Sequence, residues 1–87
     1  MVETVFHDSP TMVAIIKCES NFVHYTPDGG VLRGRVDNRD SGLAQINIGY
    51  HPGVEVDDIW SNLSYARQLY DEQGTQPWVC RNHVAMQ

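Results

Sequence analysis

The sequence has two cysteines, no cluster of lysine or arginine, and no long apolar run, and each shortage closes off a class of protein. With Lys and Arg numbering 6 against 11 acidic residues, the net charge is −5. Such a surface repels phosphate backbones, and no local basic patch overrides the total, so no nucleic-acid partner is expected. The same charge works against electrostatic attraction to anionic membranes or cell walls. No stretch approaches the ~18 apolar residues of a membrane-spanning helix, and residues 1–12 lack the basic and apolar regions of a signal peptide. Either an export signal has been removed or release follows another route. There is no Cys-x-x-Cys pair, and His7, His24, His51 and His83 are scattered without ligand spacing, so no metal site is expected.

What is present is the composition of one ordinary globular domain over residues 1–87, with 41% hydrophobic and 20% charged residues and no internal repeat. A chain this short buries only a little more than ~60% of its unfolded surface, so its core is marginal. Cys18 and Cys80, 62 positions apart, could close a loop worth roughly 4 kcal/mol in the chain-entropy model. From the count alone, a bridge and two buried thiols in a reducing compartment are equally open.

Ser9 followed by Pro10 reads as a helix start, since Ser caps free amides and Pro suits the first helical position. That helix is expected to run to about Asn21. Between Ser9 and Val23 the apolar residues Met12, Ile15, Ile16, Phe22 and Val23 recur at helical spacing, and Glu19 falls on their stripe. Pro27, Asp28, Gly29 and Gly30 form a turn, and the β-branched residues from Val31 to Val36 predict a short hairpin, with Asp40 on it or just beyond it. After a loop through His51, Pro52 and Gly53, a second helix begins at about Asp57 or Asp58. Its stripe is Ile59, Leu63, Ala66, Leu69 and Tyr70, and Gly74 stops it. The tail carries Pro77, Trp78 and Cys80 and is expected to fray after about His83. The fold class is α+β and helix-rich, with two main helices and a short β-hairpin.

A carboxyl on an apolar stripe is desolvated, which raises its pKa, so Glu19 should hold its proton near neutral pH and be able to give it to a leaving group. Asp40, in the polar run from Asp37 to Ser41, should stay ionised. Two carboxyls whose environments push their pKa values apart suit glycosidic bond cleavage.

The run Glu19, Ser20, Asn21, Phe22 (ESNF) resembles the segment that holds the catalytic acid of animal C-type lysozymes. Residues 40–47 (DSGLAQIN) resemble their DYGxxQIN strand, whose Asp is the second catalytic carboxylate. GLAQI is also similar to the GLMQI motif of bacterial lytic transglycosylases, in which a Glu-Ser pair opens the domain. Cys18, Glu19 and Ser20, with Trp78, Val79 and Cys80, resemble the CES and WPVC segments of the resuscitation-promoting factor domain. Each motif is of modest specificity alone. Their joint occurrence in one order, from about Met12 to Cys80, identifies the chain as a resemblance to the lysozyme-like superfamily.

That resemblance implies a minimal lysozyme-like fold in which Cys18 and Cys80 are bridged, as in the resuscitation-promoting factor domain, fastening Trp78 beside Glu19. A Trp packed on the acid helps to raise its pKa in lysozymes; Trp78 either has that part or is a plain core aromatic. Gln45 and Asn47 match residues that line the sugar cleft, where amides pair with N-acetyl and hydroxyl groups, although either could satisfy a turn instead. Tyr50 could stack on a sugar or belong to a solvated loop. The resemblance further implies a monomeric muramidase, extracellular or at the cell wall, with phage origin also open, that cleaves the β-1,4 bond between N-acetylmuramic acid and N-acetylglucosamine in peptidoglycan. Glu19 would be the general acid and Asp40 the second carboxylate. Lytic transglycosylases work with the Glu alone and give anhydro products, and a non-catalytic peptidoglycan-binding module is a further reading. Neither the hydrolytic nor the transglycosylase mechanism needs a cofactor, so none is expected. The chain departs from the animal enzymes in its shortness, its lack of their several disulfides, and a longer insertion containing Gly29, Gly30 and Gly34 before Asp40. The insertion leaves Asp40 open to a capping or turn role.

Overall fold

Ser9 is buried, and its hydroxyl accepts from the Met12 amide at 3.1 Å, so the first long helix begins where the Ser-Pro pair predicts. In the computed structural model, which describes residues 1–84, the chain runs α1 (Val2–Val5), α2 (Pro10–Ser20), β1 (Asp40–Ser41), β2 (Ile46–Asn47), α3 (Ile59–Gln73) and a closing 3-10 turn (Val79–Asn82). The architecture is α+β, with two main helices and one two-stranded antiparallel hairpin. The short α1 and the closing turn carry no periodic signal and were not expected.

Helix α2 buries Met12, Ile15 and Ile16, each worth about 1.5–3 kcal/mol when fully removed from water. It stops at Asn21, whose backbone is left-handed (φ 53°, ψ 35°) and whose amide returns to the Lys17 carbonyl at 2.7 Å. Phe22 and Val23 therefore leave the helix and are exposed, so the expected stripe loses its last two members. Phe22 is left-handed as well, at φ 62°, an outlier for a bulky side chain. Helix α3 begins at Asp58, whose carboxylate accepts from the Ser61 amide, and ends before Gly74. Leu63, Ala66 and Leu69 are buried along it, with Ile59 and Tyr70 partly so. One apolar cluster joins these residues to Phe6, Leu43, Ala44, Ile46, Val56 and Trp78.

The hairpin forms later in the chain than expected. Residues from Val31 to Val36 make no continuous strand, only isolated bridges pairing Tyr25 with Val31 and Arg33 with Ser41. Val36 is fully exposed. With glycines at 29, 30 and 34, this arm buries too little to order itself as a sheet, and it is strapped to the chain on either side. The Leu32 amide donates to the His24 carbonyl, Gly42 to Leu32 and Gly34 to Asp40. The true hairpin pairs Asp40 with Asn47 and Ser41 with Ile46. Its turn starts at Gly42, which has φ +74° and lies so close to Asn62 and His24 that a Cβ would come within 2.5 Å of both. Only glycine fits there.

The disulfide between Cys18 and Cys80 is formed, with the Cα atoms 6.0 Å apart, and ties the end of α2 to the closing turn. Beyond His83, Val84 packs partly buried against the core rather than fraying; residues 85–87 lie outside the described residues. No helix among the described residues is long and apolar enough to cross a membrane.

Candidate active site

Glu19 occupies the last turn of α2, and the disulfide from its neighbour Cys18 brings the closing turn against it. The Cys80 amide donates to Glu19 Oε2 at 3.2 Å. Burial pushes the Glu19 carboxyl above its usual pKa; the Cys80 amide pulls it down, the charge of Asp40 raises it, and His83 lowers it. Asp40 and Glu19 thus sit within electrostatic reach of each other. Both line one cleft of about 980 Å³, bounded by the end of α2, residues 32–37, the hairpin, and the segment from Pro77 to Cys80.

Asp40 is held by its partner across the hairpin, since Asn47 Nδ2 donates to Asp40 Oδ1 at 2.9 Å and to Asp37 Oδ2 at 3.1 Å. Asn47 Oδ1 accepts from the amides of Gly49 and Tyr50. In this structure Asn47 therefore positions a carboxylate and a loop. Burial also pushes the Asp40 pKa up; the Asn47 bond lowers it, Asp37 raises it and Arg39 lowers it. The polar run predicts that Asp40 stays ionised, with a pKa apart from that of Glu19; instead its partial burial pushes it up as well. The carboxyl held well below the usual range is its neighbour Asp37, through the bidentate grip of Arg39 and the amide bonds of Arg39 and Asn47. Glu19 and Asp40 are therefore pushed the same way rather than apart: in each, burial and a neighbouring carboxylate raise the pKa while one amide donor and one basic neighbour lower it.

Trp78 is only 2% exposed, lines the same cleft, and donates from Nε1 to the Ala44 carbonyl at 2.8 Å. It belongs to the core and to the cleft wall at once. Gln45 lines the cleft too, but its Nε2 donates to the Gly42 carbonyl and its backbone is left-handed, so in this structure it closes the hairpin turn. Tyr50 is 77% exposed at the cleft edge, with the Arg39 guanidinium 5.9 Å from its ring centroid.

Four cleft residues carried no signal in the sequence. Asp37 was one polar residue among several. His51 lines the cleft, and its Nδ1 is paired with the Tyr65 hydroxyl at 2.8 Å from the middle of α3. Arg35 and His83 also line the cleft. His51 and Tyr65 are 14 positions apart, on a loop and a helix, so no spacing rule pairs them. Among the described residues no group of three or more His, Cys, Asp or Glu could hold a metal ion.

Chemically, the cleft offers a partly desolvated carboxyl able to give a proton, a second carboxylate on the same cleft, and an indole in its wall. Comparison with protein family models, with curated proteins and with solved structures finds no match to this chain.

Proposed function

We propose that this chain is a lysozyme-like glycosidase that cleaves peptidoglycan between N-acetylmuramic acid and N-acetylglucosamine. The observation that carries the reading is that Glu19 and Asp40, 21 residues apart and singled out by motif, line one cleft. Glu19, its proton retained by burial and by the neighbouring charge, donates to the glycosidic oxygen as the bond breaks. Asp40, fixed by Asn47, stabilises the positive charge that develops on the sugar ring or attacks it, and water completes the hydrolysis. Trp78 keeps that end of the cleft apolar and so maintains the desolvation of Glu19. The disulfide fits an oxidising compartment, hence a site of action outside the cell.

A transglycosylase variant is favoured by one specific observation: one oxygen of Asp40 is already engaged by Asn47. In that variant Glu19 acts as acid and then base, and the substrate's own hydroxyl closes an anhydro ring. Mass spectrometry of digested peptidoglycan separates the two, since hydrolysis leaves reducing ends.

The test of the common reading is Glu19→Gln, which keeps shape and the Cys80 bond but has no proton to give. Clearing of purified cell walls should fall at least ~10²-fold, with the melting temperature unchanged or higher. Retention of more than about a tenth of the activity would move the chemistry to another residue.

A further inference from the structure

We propose that Arg35 makes the cleft selective for glycans whose sugars carry a carboxylate, an inference that rests on the glycosidase reading and adds a specificity-determining residue to it. The chain has six Lys and Arg residues, and most are engaged. Arg67 is paired with Asp8 and Asp71, Arg39 with Asp37, and Arg33 lies 3.8 Å from Asp57. Arg81 donates to the carbonyls of Gln76 and Trp78. Among the described residues this leaves Lys17 and Arg35 without an acceptor, and of the two only Arg35 lines the cleft.

Its place is set by the arm on which it stands. Arg33 pairs with Ser41, and the Gly34 amide donates to the Asp40 carbonyl at 3.0 Å. Gly34 lies so close to β1 that a Cβ there would sit 2.4 Å from the Asp37 carbonyl and 3.0 Å from the Asp40 carboxylate. Arg35 therefore follows a residue pressed against the candidate catalytic strand. The carboxylates that share its stretch of the cleft already have partners of their own: both oxygens of Asp37 accept from Arg39, and one oxygen of Asp40 accepts from Asn47. In a chain of net charge −5, an unneutralised guanidinium on a cleft wall is a donor fork open to an incoming anion, and a carboxylate matches its geometry. A glycan of muramyl units supplies that anion either as the free lactyl carboxylate or as the carboxylates of an attached stem peptide; a polymer of N-acetylglucosamine alone supplies none.

Binding separates this inference from the reading beneath it. Glu19→Gln protein, which cannot turn over, is titrated calorimetrically with three soluble tetrasaccharides: uncharged N-acetylglucosamine, muramyl glycan with free lactyl groups, and muramyl glycan with stem peptides. The expected result is that at least one carboxylate-bearing probe binds about two- to fivefold more tightly than the uncharged one at low ionic strength, as an ion pair to the exposed Arg35 should. The advantage should shrink in about 1 M salt. Whichever charged probe gains identifies the source of the carboxylate. Adding Arg35→Gln should bring both charged probes to the level of the uncharged one, and Arg35→Lys should restore part of the difference. Equal binding of charged and uncharged probes, or a preference that survives Arg35→Gln, overturns the role of Arg35 and leaves the glycosidase reading standing. Failure of all three probes to bind removes both.

Discussion

Replacing Asn62 by Leu should unfold this protein more readily than any surface change, because one side chain holds the candidate catalytic hairpin to α3. Asn62 is 0% exposed. Its Oδ1 accepts from the Ala44 amide at 2.9 Å, and its Nδ2 donates to the carbonyls of Ser41 at 2.8 Å and Val56 at 2.9 Å. Leu nearly conserves the volume and removes all three bonds. Each loss leaves a buried backbone group without that partner, at about 1–3 kcal/mol apiece, so the three together should cost at least about 3 kcal/mol. A domain of this length has only about 4–13 kcal/mol of stability. Near the transition each kcal/mol shifts the melting temperature by about 4–8 °C, so a fall of more than about 12 °C is expected. The companion change Asn62→Asp retains an acceptor for Ala44 but sets oxygen against the carbonyls of Ser41 and Val56. Burial and those carbonyls would raise the new carboxyl's pKa above its unfolded value. Its deficit should therefore be smallest at low pH, where the carboxyl is protonated and can donate, and should grow as pH rises through the raised value. Urea unfolding at about pH 4 and about pH 7 measures both effects. An Asn62→Leu variant within about 1 kcal/mol of the parent, or an Asp variant indifferent to pH, would refute the claim that these bonds hold the hairpin.

Reduction of the Cys18–Cys80 bridge should cost about 4 kcal/mol and show as a lowered melting temperature; thiol titration of the unfolded, unreduced protein should find no free thiol. The change Asp40→Asn should cut the rate of wall clearing substantially, with reducing-end products from the parent; near-normal activity with anhydro products would reject hydrolysis and leave Glu19 as the sole catalytic carboxylate. Activity should need Asp40 ionised and Glu19 protonated, so with both groups pushed up the active range should sit above the usual carboxylate range, the acid limb following Asp40 and the alkaline limb Glu19. Because Asp37 raises Asp40 and occupies Arg39, Asp37→Asn should move the acid limb to lower pH in a pH–rate profile; an unmoved limb would mean that Asp40 does not govern it.

Local signals served best where one residue's own chemistry sets the backbone. Ser9 and Pro10 start α2, Asp58 starts α3 and Gly74 follows its end, because a cap needs only its own turn. The stripe of α3 was legible for the same reason, being a repeat within one element. The stripe of α2 was read two residues too far, since Phe22 and Val23 keep the apolar spacing although Asn21 has already turned the chain left-handed. The hairpin was misplaced because β-branched residues between 31 and 36 carry strand propensity but bury little, and a strand is stabilised by what lies across and beneath it.

The candidate site divides along the same line. Its place on an apolar helix face was enough to single out Glu19, and the resemblance of short motifs pointed to Asp40, Trp78 and the pairing of the two cysteines; neither signal needs coordinates. That Cys80 lends its amide to Glu19, that Asn47 spans Asp37 and Asp40, and that Arg39 is spent on Asp37 while Arg35 is left free all depend on how segments far apart in the chain are pressed together. Burial and charge–charge distance are properties of that packing. A pKa set by them, such as the upward push on Asp40 from a neighbourhood that reads as polar, therefore has no counterpart in the order of the residues.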